Sequence, residues 1–409
     1  MNLVVIGAGL SGLLVAKRRA AAGEDVVVLE ARQRVGGRLW TLRDHFAEGQ
    51  FGELGAETIY AGQANVMALT KEMGLEAKAC GYFHREAPPM LFGGKRLAEP
   101  ARRAITGWLV AAYRDSPPAP FENLQAWSAR LRAPREVVTF LDSFAQYTPV
   151  IALRHAEAAE FGRQLLLPGS DSYRIVGGND LLTTRLAEGL DLRLGRRVRA
   201  IDWSGPTVVV ETDSERFAAD RAVVTVPGPL VAGLGFWPAL PGDKVAALCE
   251  LPYGTGAKVI VQYRERRLAS EAVGTGCFTD SLPPWLVEQS PHQGGQAALV
   301  SSLLGGDAEP PVPDEKVYAA FDRTVAALAG GPLTRLGEAA HSWTQDAFAR
   351  CIVRAPIGDQ RTRLLPAVRA PLGERVFFAG EHTDDRLGPG GLEGATRSAL
   401  RVLAELERA

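Results

Sequence analysis

The first thirty residues contain two apolar runs joined by a glycine-rich turn and a helix. Residues 3–6 and 26–29 are continuously apolar, which is typical of parallel strands buried on both faces. Residues 13–23 read as the helix, and Glu30 ends the second run, 18 residues after Gly12. Glycines permit a tight turn and a close approach of pyrophosphate to a helix N-terminus, and a carboxylate placed here can accept hydrogen bonds from ribose hydroxyls. The unit predicts an α/β fold that binds a dinucleotide, with contacts from Gly7, Gly9, Leu10, Ser11, Gly12 and Glu30.

Composition and charge exclude several other classes of protein. The 409 residues are 46% apolar and 23% charged, as in soluble globular proteins, and their number suggests two or three domains. A formal net charge of −1 gives no general attraction to nucleic acid or to an anionic membrane. No apolar run reaches the roughly 18 residues of a membrane span. We therefore expect a monomer or homodimer without nucleic-acid or membrane partners.

The cysteines favour a reducing compartment. None of the four belongs to a CxxC pair, so the sequence predicts neither a zinc site nor a disulfide framework. We expect a cytoplasmic protein without a metal. The cysteines are Cys80, Cys249, Cys277 and Cys351.

The segment that follows the second strand distinguishes between cofactors that share this unit. It reads Glu30-Ala31-Arg32-Gln33-Arg34-Val35-Gly36-Gly37-Arg38. Adjacent glycines let the backbone pass close to a cofactor, and the Arg38 guanidinium can offset pyrophosphate charge. The segment resembles the E-A-x-x-R-x-G-G-R signature of the flavin-containing amine oxidase superfamily, which includes monoamine, L-amino-acid and protoporphyrinogen oxidases. The resemblance implies FAD, with further contacts from Ala31, Arg32, Gly36, Gly37 and Arg38.

The C-terminal region carries a second strand, turn and helix. Residues 375–381 read as a buried strand, residues 387–391 as a glycine- and proline-rich turn, and Leu392 opens a helix. Such a helix N-terminus favours an anion or a ring edge. The region resembles the superfamily's closing motif, F-A-G-E-x-T followed by x-E-G-A-x-x-S-G, with Ala399 in place of the last glycine. The resemblance places Glu381 by the ribityl phosphate and the Leu392 backbone at the flavin pyrimidine ring, and it adds Gly380 and Gly391 to the contacts.

Central segments show weaker marks of the same superfamily. Residues 52–57 resemble the loop over the flavin, residues 174–181 a G-G-x-x-x-L turn, and residues 197–227 the adenine-side strands. The resemblance assigns the Val198 backbone to the adenine and Trp343 to the flavin edge. It assigns the loop contacts to Gly55, Ala56 and Glu57.

The order of these segments predicts two interleaved domains. A Rossmann-type FAD-binding domain is expected over residues 1–80, 170–242 and 345–409. An α+β substrate domain, with a mixed sheet plus helices, is expected over residues 81–169 and 243–344. Within it we expect helices at 102–114, 122–131, 135–145 and 314–329, and a strand at 257–263.

Lys258 is the candidate catalytic residue. A lysine within a strand of valine and isoleucine is unfavourable unless it has a function or faces solvent. Lysines are also scarce here, with 7 among the 46 basic residues. In the amine oxidases that the chain resembles, a lysine at the matching place holds a water against flavin N5.

Two departures from the superfamily bear on the substrate and on the attachment of the flavin. Many amine oxidases hold the substrate nitrogen between two aromatic rings, and the corresponding positions here are Ile352 and Gly391, so no such cage is expected. Cys351 lies near the position of the flavin-linked cysteine of covalent members, but its neighbours Arg350 and Ile352 do not match their motif. We expect non-covalent FAD, and a substrate pocket lined by Tyr60, Ile352 and Gly391.

Polar candidates for substrate recognition are less specific. An arginine can pair a substrate carboxylate bidentately, and a histidine can act as an acid or base. The candidates are Arg85, Arg163 and Arg354 for the carboxylate and His341 and His382 for proton transfer.

The resemblance implies an FAD-dependent oxidase with a small-molecule substrate and molecular oxygen as partners. A C–H bond next to the nitrogen of an amine or amino acid gives a hydride to flavin N5, and oxygen reoxidises the flavin to yield hydrogen peroxide. Two alternatives remain open at this point. One is a flavin desaturase or dehydrogenase acting on carbon–carbon bonds of a ring or polyene. The other is a non-enzymatic scaffold like the Rab GDP-dissociation inhibitors.

Overall fold

The computed structural model describes residues 1–83, 87–147, 150–165, 170–268, 276–306, 313–355, 361–385 and 390–409. The helices are α1 (Leu10–Ala21), α2 (Ala64–Glu72), α3 (Glu99–Asp115), α4 (Leu124–Arg130), α5 (Arg135–Tyr147), α6 (Ala158–Leu165), α7 (Leu181–Ala187), α8 (Gly228–Val231), α9 (Gly242–Glu250), α10 (Glu315–Ala329), α11 (Arg361–Arg369) and α12 (Gly391–Arg408). The strands are β1 (Leu3–Ile6), β2 (Val26–Leu29), β3 (Thr41–Leu42), β4 (Gly52–Glu53), β5 (Ile59–Tyr60), β6 (Ala77–Phe83), β7 (Met90–Phe92), β8 (Lys95–Arg96), β9 (Ser170–Ile175), β10 (Asp191–Arg193), β11 (Val198–Asp202), β12 (Val208–Thr212), β13 (Arg216–Ala219), β14 (Arg221–Val224), β15 (Gly235–Trp237), β16 (Gly256–Tyr263), β17 (Cys277–Thr279), β18 (Trp285–Glu288), β19 (Ala298–Gly305), β20 (Arg335–Ser342) and β21 (Val376–Phe378).

A five-stranded parallel sheet in the order β10-β2-β1-β14-β21 lies at the centre of the first part of the molecule. All residues of β1 and β2 are buried, because helices or a second sheet cover each face. Leu3 and Val5 pack in a core with residues of α1, α2, α7 and α12. Val4 and Ile6 point the other way and pack with residues of β11, β12, α9 and α11. The strand–turn–helix–strand unit predicted at the N-terminus is confirmed.

A second sheet, in the order β13-β12-β11-β15, covers the far face of the parallel sheet. Its strands β11, β12 and β13 are antiparallel, and β15 runs parallel to β11. Strand β11 starts at Val198, just after Arg196, whose backbone N–H donates to the Glu30 carbonyl oxygen at 2.8 Å and so joins this strand to the end of β2. The strands predicted between residues 197 and 227 are confirmed.

A mixed sheet in the order β20-β16-β19-β18-β17-β7-β8 forms the second part of the molecule. Helices α3 to α6 contribute aromatic and aliphatic residues to a core with β17 and β18, and α10 packs in a separate core with β16, β17, β18 and β19. Strand β16 is buried along its whole length because β19 and β20 flank it on both edges. Helix α10 begins at Glu315 because the Asp314 side chain accepts hydrogen bonds from the N–H groups of Lys316 and Val317. The predicted helices and the predicted strand at 257–263 are confirmed within a few residues.

The α/β fold class is confirmed by this combination of a layered parallel sheet and a mixed sheet with helices. A small antiparallel sheet, β5-β9-β6, lies where the chain passes between the two parts. Helix α9 lies just beyond the predicted boundary at residue 242, and its buried residues pack in the core shared with β11 and β12. The division into two domains stays a prediction.

Candidate functional site

A cavity of about 510 Å³ is lined by residues from both the parallel-sheet part and the mixed sheet. Its walls are formed by the turns after β1 and β2, the loop after β4, and side chains from β16 and β18. Every residue predicted to contact FAD lines this cavity except Gly12, which packs inside the turn, and so do the predicted residues Tyr60, Lys258 and Ile352. The lining residues among the predicted set are Gly7, Gly9, Leu10, Ser11, Glu30, Ala31, Arg32, Gly36, Gly37, Arg38, Gly55, Ala56, Glu57, Tyr60, Val198, Lys258, Trp343, Ile352, Gly380, Glu381, Gly391 and Leu392.

One end of the cavity, here called the dinucleotide end, is formed by Gly9, Leu10, Glu30, Arg32 and Val198. Helix α1 starts at Leu10, and its N-cap residue, Gly9, has no side chain to accept a hydrogen bond from the first turn. The first N–H groups of the helix are therefore not capped by a side chain. The Glu30 carboxylate accepts hydrogen bonds from the backbone N–H groups of Ala8 and Arg32, each at 2.8 Å. Burial raises the pKa of Glu30, although these hydrogen bonds oppose the shift.

The glycines of this end have different physical roles. A Cβ at Gly12 would clash with the carbonyl oxygen of Gly7 and lie 2.8 Å from the Thr225 hydroxyl. Gly36 has φ +102°, which disfavours any side chain. A Cβ at Gly9, in contrast, would meet no protein atom within 4 Å. Gly12 and Gly36 therefore maintain the turn, whereas Gly9 borders open space in the cavity.

Arg38 and Glu381 form an ion pair on the cavity wall. The Nη1 atom of Arg38 donates to Glu381 Oε1 and to the carbonyl oxygen of Ile352, each at 2.9 Å. Burial alone would raise the pKa of Glu381, but the charges of Arg38 and Arg354 hold it below its ordinary value. The pair fixes the strand end at Glu381 against the segment that carries Ile352.

Trp343 lies against the cavity and is fixed by a hydrogen bond from its Nε1 to the Leu54 carbonyl oxygen at 2.9 Å. The ring of His341 packs edge-on against it at 4.5 Å, and His341 Nε2 lies 2.8 Å from Asp346. Asp346 also accepts a hydrogen bond from Arg32 at 2.6 Å. His341 therefore belongs to a polar support behind Trp343 and does not line the cavity.

The other end, here called the aromatic end, is formed by Tyr60, Tyr147, Lys258 and Trp285. The hydroxyls of Tyr60 and Tyr147 are hydrogen bonded, and the rings of Tyr147 and Trp285 are 4.5 Å apart. The Lys258 Nζ lies 5.8 Å from the centre of the Trp285 ring. The structure thus places aromatic rings in the cavity, at positions outside the two that the resemblance identified.

Lys258 faces the interior and not solvent. It is 2% exposed, and its Nζ forms an ion pair with Glu57, which is 7% exposed. The same carboxylate accepts hydrogen bonds from Arg174, from Ser301 at 2.8 Å and from Gln289 at 3.0 Å. Burial alone would raise the pKa of Glu57, but the charges of Lys258 and Arg174 lower it.

The remaining candidates lie elsewhere. Arg163 pairs with Glu160 at 3.0 Å, and Arg354 is buried with its backbone N–H on Glu381; neither lines the cavity. Burial lowers the pKa of His382 to about 4, so that ring is neutral near pH 7, and it does not line the cavity either. Arg85 and the turn at 387–389 lie outside the described residues.

Cys351 is buried behind the cavity wall. Its Sγ lies 3.5 Å from Arg38 Nη1 and it is not among the lining residues. Burial raises the pKa of the thiol to about 12, so the thiolate is disfavoured.

Across the described ranges, no group of three or more histidine, cysteine, aspartate or glutamate residues is arranged to hold a metal ion. Among the helices described above, none is both long and apolar enough to span a membrane.

The family model for flavin containing amine oxidoreductases matches residues 10–406. The chain belongs to this family. It is therefore a flavin-dependent oxidoreductase of the amine oxidase type, as the sequence motifs predicted. An L-amino-acid oxidase of Mus musculus is 26% identical, with 99% of this chain and 70% of the relative covered. The amine oxidase [flavin-containing] A of Equus caballus is 24% identical, with 99% and 84% covered.

Solved structures of amine oxidases share the fold of this flavin-dependent oxidoreductase. Putrescine oxidase, determined with putrescine bound, superposes with a TM-score of 0.81 at 20% identity, covering 100% of this chain and 99% of its own. Cyclohexylamine oxidase from Brevibacterium oxydans superposes with a TM-score of 0.79 at 20% identity, with the same coverage.

Several residues that line the cavity or surround Glu57 were not predicted for the site from the sequence. Tyr147 ends α5 and Trp285 opens an apolar strand, in positions where an aromatic residue most often belongs to the core. Gln289 and Ser301 lie in or beside strands of the mixed sheet, and Arg174 lies in β9. Strand pairing brings them to Glu57, and although Arg174 begins the segment 174–181 marked in the sequence, that motif gives no sign of this contact.

Proposed function

We propose that the protein is an oxidase of small amines that uses non-covalent FAD and releases hydrogen peroxide. The observation that carries the proposal is that one cavity joins the dinucleotide end to the aromatic end, with the buried Lys258 on its wall. Glu30 and Val198 would hold the adenosine half of a dinucleotide bound along this cavity, and the aromatic end would face its reactive ring.

The residues of the dinucleotide end fit FAD. The unblocked start of α1 and the open space beside Gly9 suit a pyrophosphate, and the Glu30 carboxylate suits ribose hydroxyls. A mononucleotide flavin leaves these features without a ligand. The buried, protonated Cys351 supports non-covalent binding.

FAD, when bound, accepts a hydride from the C–H bond next to an amine nitrogen and passes the electrons to oxygen, which leaves as hydrogen peroxide. The protein orients the substrate and keeps the site dry. The rings of Tyr60, Tyr147 and Trp285 supply apolar surface that excludes water. The Lys258 ammonium has three N–H donors and offers hydrogen bonds at the cavity wall.

The aromatic end favours a neutral amine over an amino acid. The arginines that line the cavity are Arg32, Arg38, Arg196, Arg197, Arg199 and Arg350, and none of them belongs to the set that defines the aromatic end. Among the described residues, neither Arg163 nor Arg354 reaches the cavity to bind a carboxylate. The Lys258 ammonium is already neutralised by its ion pair with Glu57, so it offers a substrate carboxylate no unpaired cation, and the excess positive charge of Arg174 disfavours a protonated amine.

The test combines cofactor identification with a substrate screen. Heat or acid should release FAD from the purified yellow protein, identified by chromatography. In a peroxide-coupled assay, phenethylamine and cyclohexylamine should be oxidised faster than L-phenylalanine or putrescine. Protein without flavin would overturn the cofactor proposal, and substrate oxidation without ammonia or carbonyl product would indicate a desaturase instead.

A further inference from the structure

The Lys258–Glu57 ion pair is formed by two parts of the chain that are 201 residues apart. Glu57 comes from the loop after β4, which the family places over the flavin. Lys258 comes from the centre of β16 in the mixed sheet. Both side chains line the cavity and both are buried, so water does not screen the interaction as it does at a surface.

The Glu57 carboxylate is largely occupied by protein donors, with Oε2 fully used and Oε1 already bound to Arg174. A carboxylate offers about four lone-pair positions. Here Lys258, Ser301 and Gln289 donate to Oε2, and Arg174 donates to Oε1. The donors come from β9, β16, β19 and the end of β18, so the carboxylate is fixed from several directions. Glu57 is therefore unsuited to act as a base or as an acceptor for substrate.

Lys258 is in the opposite situation. Its ammonium has three N–H groups, and among the described residues it donates a hydrogen bond to Glu57. A lysine side chain has four flexible carbons and a point charge, so it needs a partner to stay in one place. Glu57 supplies that partner and leaves the other N–H groups for whatever occupies the cavity.

We infer that Glu57 is a positioning residue that holds the Lys258 ammonium at the cavity wall, and that its negative charge is what the reaction requires of it. The inference rests on the proposed function for its catalytic consequence. It assigns to Glu57 a role different from contact with the flavin, which the family resemblance implies.

Charge and not shape is the critical property of Glu57. Arg174 and Lys258 bind the same carboxylate from two sides. Without that charge, two buried cations face each other, and the flexible lysine is the one that can move. Glu57→Gln keeps the size and one acceptor oxygen of the side chain but removes the charge, so it isolates this effect.

The activity test compares Glu57→Gln, Lys258→Met and the double variant by stopped-flow spectroscopy in both half-reactions, anaerobic reduction of the bound flavin by a saturating amine and its reoxidation by oxygen. We expect Glu57→Gln to slow the half-reaction that Lys258→Met slows by about 100-fold, as for a misplaced reacting group, with the FAD content unchanged. The double variant should be no slower than Lys258→Met, because Glu57 acts through the lysine. Glu57→Asp, which keeps the charge, should recover part of the loss.

The matched control is Glu288→Gln. Glu288 is a buried carboxylate in the same mixed sheet, paired with Arg266 at 2.7 Å, and it does not line the cavity. The Glu288→Gln variant should have rates of flavin reduction and reoxidation within about two-fold of the unmodified protein, since Glu288 positions no group in the cavity. Rates for Glu57→Gln within two-fold of the unmodified protein in both half-reactions, or losses that multiply in the double variant, would overturn the inference.

Thermal unfolding of four holoproteins, the unmodified protein, Glu57→Gln, Lys258→Met and the double variant, provides a readout that does not need a substrate. Glu57→Gln leaves Lys258 without its partner, so adding Lys258→Met should restore part of the lost melting temperature. Additive losses would show that the two residues are not coupled. If no amine reduces the flavin of the unmodified protein, the proposed function fails, and this cycle still decides whether Glu57 holds Lys258.

Discussion

The two ends of the cavity are built from different parts of the polypeptide. The dinucleotide end is mainly backbone, with glycine turns, the open start of α1 and one carboxylate held by two peptide N–H groups. The aromatic end is made of side chains contributed by β5, α5, β16 and β18. A backbone wall tolerates few added atoms, whereas a side-chain wall changes shape with each substitution. On the proposed function, the first end holds the cofactor and the second selects the substrate.

Replacing each of two glycines of the dinucleotide end by alanine should separate the stability of the fold from the affinity for FAD. Gly12→Ala introduces a clash with backbone, so we expect it to lower the free energy of unfolding by about 3 kcal/mol or more and to abolish FAD binding. Gly9→Ala meets no protein atom, and its φ of −81° suits alanine, so its stability should be unchanged.

Gly9→Ala should nevertheless weaken FAD binding by about 1–3 kcal/mol, because the new methyl group projects into space that the pyrophosphate needs. Urea unfolding of the apoproteins and titration with FAD measure the two effects. Full FAD affinity in Gly9→Ala would show that the cofactor does not lie beside this turn.

Glu53 is a buried carboxylate in β4, just before the loop that carries Glu57, and it accepts hydrogen bonds from Thr41 and from the Asn179 N–H. Burial is the main cause that raises its pKa from 4.5 to about 7. The folded protein therefore binds more protons than the unfolded chain between these values, and stability should fall as the pH rises through that window.

Glu53→Gln should remove this pH-dependent part of the free energy of unfolding, which the rise from 4.5 to about 7 puts at about 3 kcal/mol. Unfolding by urea at a series of pH values from 4.5 to 8 measures the difference between the two proteins. The variant should gain stability relative to the unmodified protein as the pH rises. A constant difference across the series would mean that Glu53 does not titrate there.

Tyr147→Phe tests the side-chain wall. It removes the hydroxyl bound to Tyr60 and keeps the ring against Trp285. The lost hydrogen bond is worth about 1 kcal/mol, so we expect KM for an aromatic amine to change about five-fold with FAD affinity unaltered. Steady-state peroxide assays and FAD titration separate these effects. A fall in FAD affinity without a change in KM would reverse the assignment of the two ends.

Cys351→Ser should have the smallest effect. The thiol lies behind the wall and is protonated, so the variant should retain its FAD content and visible spectrum. Acid precipitation should release FAD equally from both proteins. Flavin that stays with the precipitated unmodified protein but leaves Cys351→Ser would establish a covalent bond.

The contrast between the ends also explains what the sequence could predict. The dinucleotide end depends on contacts within one short unit, so the spacing of Gly7, Gly12 and Glu30 was sufficient. Lys258 stood out because a charge in a buried strand is rare. The strands and helices around them were also predictable, since their apolar periodicity is local.

The aromatic end was not predictable in the same way. Trp285 in its apolar strand looks no different in sequence from Trp127, which is a buried core residue. The partners of Glu57 come from strands whose pairing the sequence does not specify, because the register between β16, β18 and β19 depends on the whole sheet. The ion pair with Lys258 became visible only when these strands were placed side by side.

The central claim, that one cavity brings FAD to an amine pocket without a carboxylate site, is tested most directly by a matched pair of reductants. Phenethylamine and L-phenylalanine differ only in the carboxylate. Mixed anaerobically with the purified holoprotein, phenethylamine should bleach the visible absorbance of the oxidised flavin, and oxygen should restore it with release of hydrogen peroxide. L-Phenylalanine should leave the flavin oxidised over the same time. Equal bleaching by L-phenylalanine, or none by any neutral amine, would contradict the account.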